Sequence, residues 1–171
     1  MEKHENNITL IGMPGVGKST VGVVLAKACG LSFVDTDLVI QEETGLLLQE
    51  IIDQKGLEAF AQIEEDVLSR LDVHGAVVAT GGSAVYSDKA MKHLGSTGPI
   101  VYLRASCEEI ISRINNLDSR GIALKPGYTL ETLYAERVPL YEKYADITVD
   151  SFSVAATVAT IREGVRNLQM Q

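Results

Sequence analysis

Short runs of apolar and β-branched residues alternate along this chain with stretches of helical pattern. Five runs predict strands, at residues 8–11, 32–34, 76–79, 100–103 and 147–149. Gly30 stands where a glycine ends a first helix, and Ser106 stands where a serine caps a later one, with Glu108 and Glu109 in its first turn. Strands that alternate with helices predict an α/β fold, with a five-stranded parallel sheet and helices on both faces.

The length and composition predict one domain over residues 1–171. A chain of this size with 46% hydrophobic and 22% charged residues can bury a single continuous core. A net charge of −8 argues against a nucleic-acid or anionic-membrane partner. No apolar run approaches the ~18 residues of a membrane span, and the first seven residues are polar, so we expect a cytoplasmic protein. Cys29 and Cys107 lack metal-ligand spacing and favour a reducing compartment. We expect a monomer.

The segment after the first strand has the pattern G-x-x-x-x-G-K-[ST] and reads Gly12-Met13-Pro14-Gly15-Val16-Gly17-Lys18-Ser19-Thr20. Its glycines let backbone N–H groups close around phosphates, Lys18 reaches the β and γ oxygens, and Ser19 offers a hydroxyl to Mg²⁺. A glycine-rich turn with a chance lysine is the alternative, but the motif lies where a strand turns into a helix. We expect nucleotide binding by Gly12, Gly15, Gly17, Lys18, Ser19 and Thr20.

Polar segments follow the other strands, where a parallel sheet binds its ligands. Asp35-Thr36-Asp37 follows the second strand, and Thr80-Gly81-Gly82-Ser83 follows the third. Residues 115–128 are polar, hold Arg120 and Lys125, and are long for a connection, which favours a lid over a loose surface loop. Asp35 or Asp37 could instead simply cap the following helix.

These elements, together with Arg137-Val138-Pro139-Leu140-Tyr141, resemble the shikimate kinase family over roughly residues 8–168. The resemblance implies the three-layer P-loop fold of the nucleoside monophosphate kinases, with ATP and Mg²⁺ at the phosphate loop. It also implies a small hydroxyl-bearing acceptor beneath a helical region at about 37–64, and a lid at about 115–128. The reaction so implied is ATP-dependent phosphorylation of shikimate to shikimate 3-phosphate, a step of aromatic amino-acid biosynthesis.

The resemblance implies catalytic roles for three residues and a metal site. Lys18 would hold the transferring phosphate, and Arg120 would close from the lid to neutralise charge on the γ-phosphoryl oxygens. Asp37 would orient the acceptor hydroxyls and accept a proton. Ser19 would ligate Mg²⁺, with Asp35 holding the ion through water. These are the roles that phosphoryl transfer requires, because its catalysis is mainly positioning and charge stabilisation.

Further residues match the family's substrate contacts. Gly81 and Gly82 would let the backbone approach the acceptor and the phosphate. Arg137 would bind the acceptor's carboxylate, although it could also be an exposed helix arginine. Arg113 would lie against adenine, but the loop at 151–153 matches the family's adenine-contacting loop poorly.

The chain also departs from the family's pattern. Ala61 stands where the family has an arginine that clamps the shikimate carboxylate, while Glu64 is retained without that neighbour. Such a charge-assisted contact contributes about 1.5 to 3 kcal/mol per bond. Ser83 replaces a glycine and could hydrogen-bond an acceptor, Gly121 replaces a proline and should loosen the lid, and Gln62 could contact a neutral group or point to solvent.

Three hypotheses follow. The chain is a shikimate kinase with a weakened carboxylate clamp, a kinase of the same fold for another small hydroxyl compound, or a nucleotide-binding protein that has lost phosphotransfer. The intact phosphate loop disfavours the third. A nucleoside monophosphate kinase ranks low, since few arginines are available for a second nucleotide's phosphate.

Overall fold

The computed structural model describes residues 6–115, 122 and 124–170. Its elements, in chain order, are β1 (Ile8–Ile11), α1 (Lys18–Cys29), β2 (Ser32–Asp35), α2 (Thr36–Thr44), α3 (Leu48–Ser69), β3 (Ala76–Ala79), a 3₁₀ turn (Ala84–Tyr86), α4 (Asp88–Thr97), β4 (Ile100–Arg104), α5 (Cys107–Asn115), α6 (Leu130–Tyr144), β5 (Ile147–Asp150) and α7 (Val154–Gln169). All five predicted strands are present, and β2, β4 and β5 each extend one residue further than predicted.

The strands form one parallel sheet in the order β2-β3-β1-β4-β5. In the central strand β1, Leu10 is paired with Ala79 on one side and Val101 on the other. Every residue of β1 and β3 is buried, so both faces of the sheet's centre are covered by other elements. The α/β prediction with helices on both faces is confirmed.

Helices pack in pairs on this sheet. α1 packs against α7, α3 packs against α4, and α6 lies on β4. The two predicted helix ends are also confirmed. Gly30 adopts a left-handed conformation and donates its N–H to the carbonyl of Ala26 at the end of α1. The Ser106 hydroxyl accepts the Glu109 N–H at 3.2 Å, and the Glu109 carboxylate accepts the Ser106 N–H at 2.9 Å, which is a capping box.

α2 and α3 enclose a small apolar core of their own, formed by Ile40, Ile51, Phe60 and Val67. α3 is kinked at Gly56, so its second half, which packs against α4, runs in a different direction from its first half. The second half carries Ala61 and Glu64. The kink and the separate core thus fix where these two residues lie relative to the strand ends.

Some predictions concern residues beyond the described ranges. Half of the predicted lid at 115–128 lies outside them, including Arg120 and Gly121. Cys29 and Cys107 are each a half-buried free thiol. In the described part of the chain, no helix combines the length and apolar character needed to cross a membrane.

Candidate functional site

The phosphate loop connects β1 to α1 and closes around a buried lysine. Gly17 has a φ of 103°, a conformation that side chains disfavour, and it directs the chain into the first turn of α1. The Lys18 Nζ donates to the carbonyl of Gly12 at 2.7 Å and to that of Met13 at 2.9 Å. A buried ammonium group therefore lies beside the N-terminus of a helix, where N–H groups and the helix dipole favour anions.

Ser19 and Asp35 bring two oxygen atoms together next to this lysine. The Ser19 hydroxyl donates to the Asp35 Oδ2 at 2.9 Å, while Oδ1 accepts the backbone N–H of Asp37 at 3.0 Å. Asp35 thus caps α2 and also faces the phosphate loop. Asp35 can therefore cap α2 and help to bind a metal ion at the same time, because each role uses a different carboxylate oxygen.

This pair fits Mg²⁺, which prefers oxygen ligands and usually takes one or two from the protein and the rest from phosphate and water. Within the described residues, no group of three or more His, Cys, Asp or Glu side chains could hold a metal by itself. A metal held by Ser19 and Asp35 would take its remaining ligands from phosphate and water.

The glycine pair after β3 is enclosed by charged side chains. A Cβ atom on Gly81 would lie 2.8 Å from the Glu64 Oε2 and 3.0 Å from the Asp37 Oδ1. A Cβ atom on Gly82 would lie 2.7 Å from the Arg137 Nη1 and 2.9 Å from the Pro14 Cδ. Only glycine allows the two carboxylates and the guanidinium group to approach the backbone this closely.

Arg137 is a buried residue of α6, so the alternative of an exposed helix arginine is wrong. Its Nε donates to the Tyr86 hydroxyl at 3.3 Å, and its guanidinium carbon lies 5.3 Å from the centre of the Tyr86 ring. One turn further along α6, the Tyr141 hydroxyl donates to the carbonyl of Gly82 at 2.7 Å. α6 therefore fixes both the cation and the glycine segment.

Glu64 is buried and has a partner that the sequence did not predict. The Ser83 hydroxyl donates to its Oε1 at 2.6 Å, whereas its Oε2 has no hydrogen-bond partner within the described part of the chain. Burial raises the pKa of Glu64 to about 7; the Ser83 hydrogen bond opposes this rise, the nearby Asp37 carboxylate adds to it, and Arg137 opposes it. The Ser83 proton is thus used for Glu64, while the Ser83 oxygen can still accept a hydrogen bond from an acceptor, so that expectation stays a prediction.

Gln62, on the same turn of α3, is exposed, and its amide donates to Asp66 at 3.1 Å. Of the two expectations for this side chain, the structure favours the one in which it lies at the surface.

Arg113 links the phosphate loop to the segment after β5. Its guanidinium donates to the carbonyl of Val16 at 2.9 Å and to that of Ser151 at 3.4 Å. The buried Ser151 hydroxyl also donates to the Val16 carbonyl, at 3.1 Å. The segment at 151–153 is thus held against the phosphate loop, although its sequence matched the family poorly.

These groups line one cleft with a volume of about 360 Å³ at the carboxyl ends of the strands. Gly12, Thr20 and Arg113 are not in its lining, which holds the other nine of the twelve predicted site residues that the structure describes: Gly15, Gly17, Lys18, Ser19, Asp35, Asp37, Gly81, Gly82 and Arg137. Arg113 lies behind the loop, and Arg120 lies outside the described residues. Thr80 and Phe60 also line the cleft. The sequence analysis placed Thr80 in a polar segment at a strand end without giving it a role, and it gave no role to Phe60.

Known proteins resemble this chain over nearly its whole length. A family model described as shikimate kinase matches residues 14–164. A shikimate kinase of Thiobacillus denitrificans is 39% identical over 149 residues, which cover 85% of this chain and 81% of the relative. One of Vibrio campbellii is 40% identical over 157 residues, which cover 90% of this chain and 91% of the relative.

Solved structures show the same likeness. Shikimate kinase from Acinetobacter baumannii in complex with shikimate has a TM-score of 0.86 and 28% identity, over 99% of this chain and 97% of that chain. Shikimate kinase from Aquifex aeolicus has a TM-score of 0.77 and 26% identity, over 95% of this chain and 98% of that chain. The predicted P-loop kinase fold is confirmed.

Proposed function

This chain belongs to the shikimate kinase family, and we propose on that premise that it transfers the γ-phosphoryl group of ATP to a hydroxyl group of shikimate. The products are shikimate 3-phosphate and ADP. The observation that carries the proposal is the single cleft in which Lys18 and the Ser19–Asp35 pair face Asp37 and Arg137. Phosphoryl transfer needs the phosphate-binding site and the acceptor site to lie side by side, as they do in this cleft.

On this proposal, the phosphate loop binds ATP through the backbone of Gly12, Gly15 and Gly17 and through Lys18 and Thr20. Ser19 and Asp35 would hold Mg²⁺, which would supply positive charge beside the phosphate oxygens. Lys18 moves from the loop carbonyls to the γ-phosphoryl oxygens, because a charged phosphate oxygen is a stronger acceptor than a carbonyl.

Asp37 faces the acceptor. It orients the hydroxyl and receives its proton as the hydroxyl oxygen bonds to the γ phosphorus and the bond to the β–γ bridging oxygen breaks. Gly81 and Gly82 leave room for the acceptor beside Asp37, and Arg137 binds its carboxylate. The acceptor region so proposed comprises residues 37–64 together with this part of α6.

The remaining assignments also stand as proposals. Arg113 lies against adenine, and Arg120 closes with a lid at residues 115–128 over ATP. The chain works as one domain and as a monomer, and its cytoplasmic location stays a prediction from the sequence.

A second candidate function is favoured by Ala61. The family resemblance assigns this position to the arginine that clamps the acceptor carboxylate, and an alanine offers no hydrogen bond there. A kinase of the same fold that takes a less anionic hydroxyl compound would need no such arginine.

ADP release tests both candidates. We expect saturable, shikimate-dependent ADP release with Mg-ATP, and its loss in Lys18→Ala, since the phosphate then lacks its buried cation. Lys27→Ala removes an exposed lysine of the same helix and is the matched control, which should keep wild-type turnover. Shikimate-independent ADP release, or activity that persists in Lys18→Ala, would contradict the proposal; ATP binding without shikimate turnover would favour the second candidate.

A further inference from the structure

A second cavity of about 340 Å³ lies beside the cleft, and we call it the Ala61 cavity. It is lined by the second half of α3, the 3₁₀ turn, α6 and residues 125–128. Phe60, Glu64, Ser83 and Arg137 line both the cleft and this cavity, so the two spaces adjoin across these four side chains. A molecule in the cleft has this second space directly next to it.

The walls of the Ala61 cavity are rich in carbon surface. Leu57, Phe60 and Leu133 contribute apolar side chains, and Tyr86 and Tyr128 contribute ring surfaces. Ala61 itself ends at its Cβ atom, which leaves the space in front of α3 unfilled. The volume is within the range of small-molecule sites, which are mostly apolar with a few polar groups that fix orientation.

The charges around the cavity disfavour an anion. Among the described residues, four carboxylate side chains line it, from Glu58, Glu64, Glu65 and Glu136, against two cations, Lys125 and Arg137. Lys125 lies 5.4 Å from the centre of the Tyr128 ring, and Arg137 is held by Tyr86. An acceptor carboxylate is therefore better placed at Arg137, on the side of the cleft, than deep in this cavity.

Several polar groups of the walls already have partners within the described structure. The Glu136 carboxylate accepts hydrogen bonds from the Tyr86 and Tyr128 hydroxyls, and the Glu65 carboxylate accepts one from Ser87. Ser83 donates to Glu64. An apolar group that enters beside Glu65, Glu136 and Ser83 therefore leaves their hydrogen bonds in place; the Glu64 Oε2, which lies close to Gly81 at the cleft, has no partner among the described residues with or without such a group.

From these observations we propose that the Ala61 cavity is a second compartment of the acceptor site, which holds an uncharged, apolar substituent of the acceptor. This inference rests on the proposed phosphotransfer, because only that reaction has an acceptor. It also makes the second candidate function more specific. The class of compound is a small polyhydroxy ring that carries a neutral alkyl or aryl extension. Shikimate itself leaves this compartment empty.

Binding of a homologous series tests the compartment separately from catalysis. The probes are shikimate and its methyl, ethyl and propyl esters, each titrated by calorimetry into the protein with Mg-ADP. We expect the affinity to rise roughly fourfold for each added methylene, because each methylene is removed from water against apolar walls. An affinity that falls from the methyl to the propyl ester would overturn the proposal.

Ala61→Met fills the cavity without adding charge. In this variant we expect the rise along the ester series to disappear and the propyl ester to bind about tenfold more weakly than in the wild type. Ala159→Met places the same side chain at an exposed alanine of α7 and should keep the wild-type series. An unchanged series in Ala61→Met would locate the esters elsewhere and overturn the proposal.

The outcomes separate this inference from the proposed function. If the affinity rises along the ester series but the esters give no ADP release, the result would support the compartment and contradict phosphotransfer to these compounds. Shikimate-dependent turnover without the ester series would sustain the kinase and overturn the compartment.

Discussion

At the scale of single residues, Glu64 is the most strained electrostatic feature of the site. It is a buried carboxyl group whose Oε1 is paired with Ser83, and whose Oε2 lies close to Gly81 without a hydrogen-bond partner in the described structure. An ionised carboxylate is costly in such a place, which is why the pKa of Glu64 is raised to about 7. Residues that bind ligands are often held in this way at the expense of stability.

Glu64→Gln should therefore stabilise the protein at alkaline pH. The folded protein keeps a proton that the unfolded chain loses near pH 4.5, so wild-type stability falls as the pH rises from 4.5 through about 7. The loss attributable to Glu64 is about 3 kcal/mol at pH 8, by the size of the pKa difference. Glutamine keeps an oxygen for Ser83 and does not ionise, so this part of the pH dependence should vanish.

Denaturant unfolding of the protein without ligand, at pH 4.5, 6 and 8, measures this effect. Glu58→Gln changes an exposed carboxylate of the same helix and is the control, which should follow the wild type. If Glu64→Gln showed the same loss of unfolding free energy between pH 4.5 and 8 as the wild type, the pH dependence would come from a group other than Glu64.

At the scale of secondary-structure elements, α3 determines what the acceptor contacts. Its kink at Gly56 and its packing on α2 set the position of Ala61 and Glu64, whose side chains begin on adjacent turns. The sequence revealed both positions, because they fall within a stretch that resembles a known motif. It did not reveal that Ser83, nineteen positions later and on another element, takes the place of an arginine as the partner of Glu64.

Ala61→Arg should restore a cation to this face of α3. We expect the KM for shikimate to fall roughly tenfold or more, because a charge-assisted hydrogen bond to a carboxylate contributes about 1.5 to 3 kcal/mol. The turnover number should change little, since the guanidinium binds the ground state and the transition state alike. Position 61 is exposed, so the longer side chain does not disturb the core.

Steady-state kinetics with shikimate at saturating Mg-ATP measures the change, and Ala159→Arg supplies the same substitution on α7 as the control. A KM that stays unchanged or rises in Ala61→Arg would count against shikimate as the acceptor, whatever the rate.

The positions of the strands along the sequence were easier to predict than the order of the strands in the sheet. Short apolar and β-branched runs marked β1 to β5 to within one residue, most clearly in β1, β3 and β4, which are almost entirely buried. The order β2-β3-β1-β4-β5 depends instead on contacts between distant segments, which local periodicity does not encode. For the same reason the link from Arg113 to Val16 and Ser151, across 97 and 38 positions, appeared only in the structure.

At the scale of the whole molecule, the phosphate loop is tied to widely separated parts of the chain. Lys18 holds its carbonyls from α1, Arg113 and Ser151 hold it from α5 and the end of β5, and Pro14 meets Gly82. A ligand that binds this loop therefore contacts a unit that exists only when the sheet is formed. Its binding energy adds to the stability of the entire fold.

Mg-ADP should accordingly stabilise the protein against unfolding. At a concentration a hundred times its dissociation constant, it adds about 2.7 kcal/mol to the unfolding free energy, or roughly 5–10 °C in the melting temperature of a chain of this size. Lys18→Ala should lose most of this gain, because the cation that faces the phosphates is gone, whereas Lys27→Ala should retain it. Thermal unfolding of the three proteins, with and without Mg-ADP, measures the difference. A gain of equal size in Lys18→Ala would mean that the nucleotide binds away from the phosphate loop, and it would separate this loop from the proposed reaction.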